Sequence, residues 1–299
     1  MFSMKIRKRK ENIVIEEVKD FLLSQTLECG QCFRFEKLAD EEYVIVANNK
    51  LLRIKQEKDT LTLFDTTKEE VNDFWIHYFD LDKDYKQIKS FLRRKDEKLR
   101  PVIKEKWGIR ILNQDFHETL ISFIISQNKQ IPHIKQLVEN LSNTYGKYLG
   151  TIDGKKYYAF PTISKLGSLT EIQWRDLKVG FRAPYLMDAS VMLSKRRLKA
   201  NSFFEYGSRI DEKYARNILT SIKGVGDKVA NCVMLFSLGY TDAFPIDVWI
   251  KRIMETLYFD GKDVEKEEIA NFAKKMYGKY GGYAQQYLFA YGRNHDIGK

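Results

Sequence analysis

Two residues stand where amine chemistry would need them. Lys228 follows the triplet Gly224-Val225-Gly226 in IKGVGDKVANCVMLFSLG (222–239), and Asp247 comes nineteen residues later in FPIDVW. Two glycines in three residues weaken a helix. Beyond them Val229, Val233 and Phe236 recur at helical spacing, and Gly239 suits a C-terminal stop. The pattern is helix, Gly-Val-Gly hairpin, helix, over 212–238, with Val225 packing down between the helices. Lys228 falls in the first turn of the second helix, where the macrodipole disfavours positive charge. A lysine eased toward its neutral form is what nucleophilic amine catalysis requires. The plainer alternative is a phosphate contact: Gly224 and Gly226 let a backbone come close, and the N–H groups opening the second helix make an anion site. Asp247 sits at a predicted N-cap after Pro245. Most such aspartates simply cap helices, but one carboxylate can cap and also face a lysine across a cleft.

The elements that must position these residues change character along the chain. From Tyr43 to Phe64, YVIVA, LLRIKQ and TLTLF are separated by Asn48-Asn49-Lys50 and Glu57-Lys58-Asp59, which reads as an antiparallel meander. TLECGQCFRF (26–35) adds a strand or a buried loop. Helical patterns follow. Thr67 and Glu70 stand at capping-box spacing ahead of Val71, Phe74, Trp75 and Tyr78, and Asp115 and Glu118 repeat the spacing ahead of Leu120, Phe123 and Ile124. Further helices are expected near 130–145, 170–178, 184–199, 212–222, 227–238, 247–258, 264–278 and 281–292. The boundary falls near 100–112, marked only by Pro101 and Gly108.

The bulk composition agrees with a soluble globular chain: 43% of the 299 residues are hydrophobic and 31% charged. Lys plus Arg number 51 against 41 acids, a formal charge of +10 that favours polyanionic partners. Three cysteines, Cys29, Cys32 and Cys232, are too few for a disulfide scaffold and one short of a four-thiolate iron–sulfur cluster; they read as ordinary thiols in a reducing compartment. The run Leu120 to Ile125 is too short to span a bilayer. MKIRKRK (4–10) leads into no apolar region of a signal peptide and reads as a solvated tail or a DNA-contacting arm.

KGVGDKVA followed by FPIDVW resembles the helix–hairpin–helix glycosylase superfamily, in which a Gly-rich hairpin precedes a catalytic aspartate; a lysine at Lys228 resembles the bifunctional glycosylase/lyase members. The resemblance extends over nearly the whole chain to 8-oxoguanine DNA glycosylases of the eukaryotic type. ECGQCFRF (28–35) is similar to that family's SGQSFRW, and NQDFHETLISFIISQNKQI (113–131) to its helix leading to an asparagine. GFRAPYL (180–186) is similar to GYRARY, and YAQQYLF (283–289) to WAQAVLF. The fold so implied is α+β: an N-terminal antiparallel β-sheet domain (TBP-like) over 1–110 and a larger all-α helix–hairpin–helix glycosylase domain over 111–299.

The same resemblance implies the roles. The damaged nucleotide flips into a pocket, Lys228 displaces the base, Asp247 stabilises the charge developing on the sugar or helps activate the amine, and the Schiff base undergoes β-elimination. Gly30 matches the glycine whose carbonyl reads the extra N7–H of 8-oxoguanine. Cys232 and Phe289 match the pair enclosing the base, and Gln285 the contact to its Watson–Crick edge. Asn128 matches the residue filling the vacated stack, Phe181 and Arg182 a wedge and an opposite-base contact. The carbonyls of Thr220, Ile222 and Val225 match a structural monovalent cation site, and no other metal or organic cofactor is implied. Three positions depart from the family pattern: His133 stands in place of an arginine contacting the orphan cytosine, Trp249 in place of a histidine, and Gly292 in place of an acid. The last two compensate one another if both line one cleft.

The expected partner is double-stranded DNA containing 8-oxoguanine, met by a monomer away from membranes, in cytoplasm or nucleoid of a prokaryote or the nucleus of a eukaryote. Two alternatives stay open: a glycosylase for another oxidised base, and a non-catalytic DNA-binding protein using the hairpin as a phosphate clamp. The absence of a C-terminal four-cysteine cluster counts against the oxidised-pyrimidine relatives.

Overall fold

The computed structural model describes residues 4–195 and 197–297. Six strands form one sheet: β1 (Lys5–Arg9), β2 (Asn12–Glu16), β3 (Phe35–Ala39), β4 (Glu42–Ala47), β5 (Lys50–Glu57) and β6 (Thr60–Phe64), in the order β1-β2-β6-β5-β4-β3. The pairs β1–β2, β2–β6 and β3–β4 are antiparallel. YVIVA, LLRIKQ and TLTLF thus become β4, β5 and β6. Asn48 and Asn49 take φ +46° and +61° at the first turn, and Lys58 rather than an aspartate takes +57° at the second. Helices occupy most of the remaining chain, and no described helix is long and apolar enough to cross a membrane.

The chain divides into two compact units assembled from non-consecutive segments: Met1–Gln31, Lys55–Asn113 and Met234–Lys299 form one, Cys32–Ile54 and Gln114–Val233 the other. In the first unit Ile13 and Ile15 of β2 lie opposite Leu63 and Leu61 of β6, all buried. Around them stand the helices Tyr85–Lys95, Leu99–Glu105, Val248–Tyr258, Lys266–Tyr277 and Gly281–Asn294. Buried polar groups tie these elements together. The Arg110 guanidinium donates to the carbonyls of Lys19 (2.8 Å), Asp20 (3.1 Å), Lys83 (3.1 Å) and Asp80, and lies 4.2 Å over the Tyr85 ring. Asp96 accepts from the hydroxyls of Tyr258 (2.7 Å) and Tyr277 (2.6 Å).

In the second unit the helix Phe116–Ile125 is buried on every side from Thr119 onward, as expected of a helix apolar all round. Ala183–Ser194 packs against it and against Ile163–Gly167. The expected hairpin is present as Glu212–Thr220 and Asp227–Ser237. Two short β-hairpins also interrupt the helices. The pair β7 (Tyr148–Ile152) and β8 (Lys155–Tyr158) turns at Asp153-Gly154 (φ +48° and +79°), and Phe204–Glu205 pairs with Ser208–Arg209 about Tyr206-Gly207 (φ +49° and +79°). Both left-handed residues of each turn match the twist of the flanking strands.

Three expectations are corrected. The basic run at 4–10 is not a solvated tail; it contains edge strand β1, paired with β2 from Lys5↔Glu16 to Arg9↔Asn12. Exposed lysines and arginines there block further strand addition at the sheet edge. TLECGQC is neither strand nor loop at its start, since Leu23–Glu28 is helical. The helix expected over 184–199 stops at Ser194, where the N–H groups of Arg197 and Leu198 both turn back to the Met192 carbonyl.

The capping residues behave as their spacing requires: Thr67 accepts from the Glu70 N–H (3.1 Å) and Asp115 from the Glu118 N–H (3.0 Å). Asp115 also pairs with His117. Burial pulls the His117 pKa down, but the hydrogen bond and charge of Asp115 outweigh it, and the net shift is upward from 6.5. A pKa raised on folding contributes stability that is complete below pH 6.5 and lost as pH rises through the folded value. His117→Gln should therefore flatten the decline of the unfolding midpoint between mildly acidic and mildly alkaline buffer, read by urea denaturation; an unchanged decline would remove His117 as its source.

Candidate active site

The hairpin is built by one steric fact. Gly224 adopts φ +78°, and a Cβ placed there would sit 2.3 Å from the Tyr185 ring. Gly226, by contrast, has nothing within 4 Å of such a Cβ. One glycine thus lets the hairpin pack on the helix Ala183–Ser194, and the other leaves an open approach to the backbone. Asp188 of that same helix accepts from the Lys223 N–H (2.9 Å), and Arg216 of the first hairpin helix donates to Asn231 of the second (2.5 Å). Val225 is buried, as expected of the hairpin's inward residue.

The second hairpin helix presents Lys228 in its first turn, half-buried. Its Nζ donates to the Ser126 hydroxyl at 3.3 Å and lies 5.1 Å from the Phe123 ring centroid. Ser126 in turn donates to the Phe123 carbonyl (2.8 Å), so its remaining lone pairs face the amine. Lys228 forms no ion pair among the described residues. Its hydrogen-bond partner is a neutral hydroxyl rather than a carboxylate. Cys232, one turn further along the helix, is buried.

After Ser126 the chain continues through Gln127 to Asn128, which is exposed at φ +50°. Arg182 anchors this segment. Its guanidinium is buried, donates to the carbonyls of Gln127 and of Val179 (3.1 Å), and stacks 4.2 Å from the Phe181 ring. Burial lowers its pKa. Phe181 is the outward member of the pair, 54% exposed. His133 is also exposed, its Nδ1 3.3 Å from Lys129 Nζ.

Thr220 and Ile222 lie with the hairpin in the second unit; the predicted Asp247, Gln285, Phe289 and Gly30 lie in the first. Asp247 caps Val248–Tyr258, accepting from the Ile250 N–H at 2.8 Å, and stays half-exposed. Gln285 is buried and donates to the Pro245 carbonyl (3.1 Å), two residues before Asp247, while its Oε1 accepts from Gln286 (2.9 Å). Phe289 is partly exposed on the same helix, with the Arg293 guanidinium 5.4 Å from its ring. Gly30 takes φ +83°, and the next residue fixes it. The Gln31 amide is fully buried. It donates to the Thr26 and Arg110 carbonyls (2.8 Å each) and accepts from the Leu112 N–H (2.9 Å). Cys29 beside Gly30 is buried, which pushes its thiol pKa up to about 12 and makes it inert as a thiolate. Among the described residues no group of three His, Cys, Asp or Glu side chains is arranged for a metal ion.

Gly292 is buried, and a Cβ there would lie 2.3 Å from Ile253 Cδ1. It permits close packing of its helix on the helix Val248–Tyr258 that also carries Trp249.

Residues 13–120 match the 8-oxoguanine DNA glycosylase N-terminal domain, and residues 121–279 match the HhH-GPD superfamily base excision DNA repair proteins. The chain belongs to the HhH-GPD superfamily. Among solved structures it is similar to the Clostridium acetobutylicum 8-oxoguanine glycosylase/lyase in complex with double-stranded DNA containing cytosine opposite 8-oxoG. That likeness has 37% identity and a TM-score of 0.92, over 99% of this chain and 100% of that one. It is 30% identical to the N-glycosylase/DNA lyase of Saccharomyces cerevisiae over 91% of this chain and 83% of the relative. It is 31% identical to a probable N-glycosylase/DNA lyase of Methanothermobacter thermautotrophicus over 73% of each.

Three positioning residues of this HhH-GPD chain escaped the sequence reading. Ser126 had a signal, a polar residue at the end of an apolar helix; Tyr185 lies within GFRAPYL but, like Asp188, meets a partner 35 or more residues away that a local reading does not reach. Two outcomes follow from the geometry. Ser126→Ala should slow the amine's covalent reaction about 10-fold, the effect of one lost hydrogen bond of about 1.4 kcal/mol, with DNA affinity unchanged and Ser126→Thr restoring the rate. Gly224→Ala should lower the thermal midpoint, whereas Gly226→Ala should leave it in place and weaken duplex binding; equal effects on folding would contradict the division of labour.

Proposed function

We infer that the protein is a base excision repair enzyme that removes 8-oxoguanine from duplex DNA and nicks the strand at the resulting abasic site. The observation that carries the chemistry is the Lys228 amine, presented by the helix after the hairpin and held by the Ser126 hydroxyl instead of a carboxylate. Lys228 as a neutral amine attacks C1′ of the flipped nucleotide. The glycosidic electron pair leaves with the base, which takes up a proton. Opening of the sugar gives a Schiff base, and loss of a C2′ proton expels the 3′ phosphate. Asp247, half-exposed at its helix N-cap, stabilises the positive charge developing on the sugar.

Recognition is assigned to the residues that the family resemblance marks. The Gly30 carbonyl accepts the N7–H that distinguishes 8-oxoguanine from guanine, and the Gln31 amide network supports the loop it belongs to. Cys232 and Phe289 enclose the base, and Gln285 acts at its Watson–Crick edge from a side chain that also holds the Pro245 turn. Asn128 and Phe181 fill the vacated stack. Arg182 serves the opposite strand through the Gln127–Asn128 segment it holds, and His133 meets the orphan base. Gly226 admits a phosphate to the hairpin backbone that Gly224 seats against Tyr185. The carbonyls of Thr220, Ile222 and Val225 offer hard oxygen donors for a monovalent cation; Ile222 keeps one lone pair after accepting from the Val225 N–H.

The test is borohydride trapping on a duplex carrying 8-oxoguanine. Lys228→Gln should abolish the trapped adduct while lesion binding survives, and trapping that persisted would remove Lys228 as the nucleophile. Cleavage of 8-oxoguanine opposite each of the four bases should show weak discrimination, since an exposed histidine lacks the planar fork of an arginine.

A further inference from the structure

The first unit carries a strongly basic groove that shares no residue with the site above. Two helices form its walls. Along Tyr85–Lys95 the residues Lys86, Lys89, Ser90 and Arg93 fall at i, i+3, i+4 and i+7, with Arg94 next to them; Arg100, Ile103, Lys104 and Trp107 repeat that spacing on and just beyond Leu99–Glu105. Each helix thus turns a single stripe toward the groove, and each stripe is cationic.

The charge there is largely uncompensated. Lys89 pairs with Asp20, and Arg100 with Glu97 at 3.1 Å. Lys86, Arg93, Arg94 and Lys104 are exposed and form no ion pair among the described residues. Four unpaired like charges on two adjacent helices repel one another, a cost that a structural surface ordinarily avoids by interspersing acids. Trp107 adds a second unusual feature. Its indole is 42% exposed at the groove margin, while its carbonyl is fixed by Lys89 Nζ (2.9 Å). Paired cationic stripes are the surface that tracks a phosphodiester backbone.

The groove is also remote from the candidate catalytic carboxylate. Asp96 and Lys98, in the turn joining its two helices, bond to Tyr258 and to the Leu257 carbonyl at the C-terminal end of Val248–Tyr258. Asp247 caps the N-terminal end of that helix. Eleven residues at 1.5 Å each separate the two ends by about 16 Å.

We propose that this groove is a second DNA-binding surface, which takes the phosphodiester backbone of duplex outside the segment held by the hairpin. The inference rests on the DNA-repair reading but not on the identity of the excised base. Its use would be in holding the protein on undamaged DNA, where electrostatic contact without base readout supplies the affinity.

The experiment combines Lys86→Gln, Arg93→Gln, Arg94→Gln and Lys104→Gln, and measures affinity for a long undamaged duplex as salt is varied. Each lost phosphate contact reduces the slope of log affinity against log salt by about 0.9, so the quadruple variant should flatten it by roughly 3 to 4 and Arg93→Gln/Arg94→Gln by about half as much. Single-turnover excision from a short 8-oxoguanine duplex at saturating enzyme should be unchanged. A slope equal to wild type overturns the proposal. So does displacement of an acidic polypeptide probe, polyglutamate, by the same substitutions while the DNA slope stays put, since the groove would then suit a protein partner. Failure of wild type to excise 8-oxoguanine would sink the substrate assignment and leave the slope comparison intact.

Discussion

At one point in the hairpin the chain has room for a hydrogen atom and nothing larger. Gly224 lies against the face of Tyr185, and from that contact the rest of the arrangement follows. With no side chain in the way, the hairpin settles on the helix Ala183–Ser194 closely enough for Asp188 to take the Lys223 N–H. This fixes where the second hairpin helix begins, and so where its first turn carries Lys228. The amine then reaches Ser126 at the end of the most deeply buried helix of its unit. Sterics at a glycine, rather than any attraction at the lysine, set the candidate nucleophile in place.

The first unit solves a similar problem with amides. Gly30 and the Pro245-Ile246-Asp247 turn are both irregular backbone, and irregular backbone near the interior must have its polar groups met. Gln31 does this for the Gly30 loop, bonding to two carbonyls and one N–H; Gln285 does it for the turn before Asp247. A glutamine amide is well suited because it donates and accepts at once and carries no charge to desolvate. Each loop is held through one neutral side chain, which meets two carbonyls and an N–H in the Gly30 loop and the Pro245 carbonyl in the turn.

Much of this was legible from residue type and spacing, and the failures have physical causes. The hairpin, the caps at Thr67, Asp115 and Asp247 and most helices rest on local rules, so a short window reveals them. Asp153-Gly154 was also local, and its turn chemistry between β-type residues identifies a hairpin that the surrounding helical pattern obscured. Strand β1 was hidden because its side chains are nearly all charged; what makes it a strand is its partner β2, not its own composition. The inward turn of Arg182 and the packing role of Gly292 depend on neighbours 39 to 55 positions away, which no window contains. The resemblance to a family supplied the substrate, since nothing in the spacing of Lys228 and Asp247 specifies a damaged guanine.

Three consecutive residues, Ser126, Gln127 and Asn128, meet three different demands. The first holds the amine, the second is held by Arg182, and the third projects into solvent in a left-handed conformation. The hydroxyl that meets the amine and the exposed asparagine are thus separated by two peptide units. In the proposed enzyme, the residue that meets the duplex and the residue that meets the amine are therefore near neighbours on one short stretch of backbone.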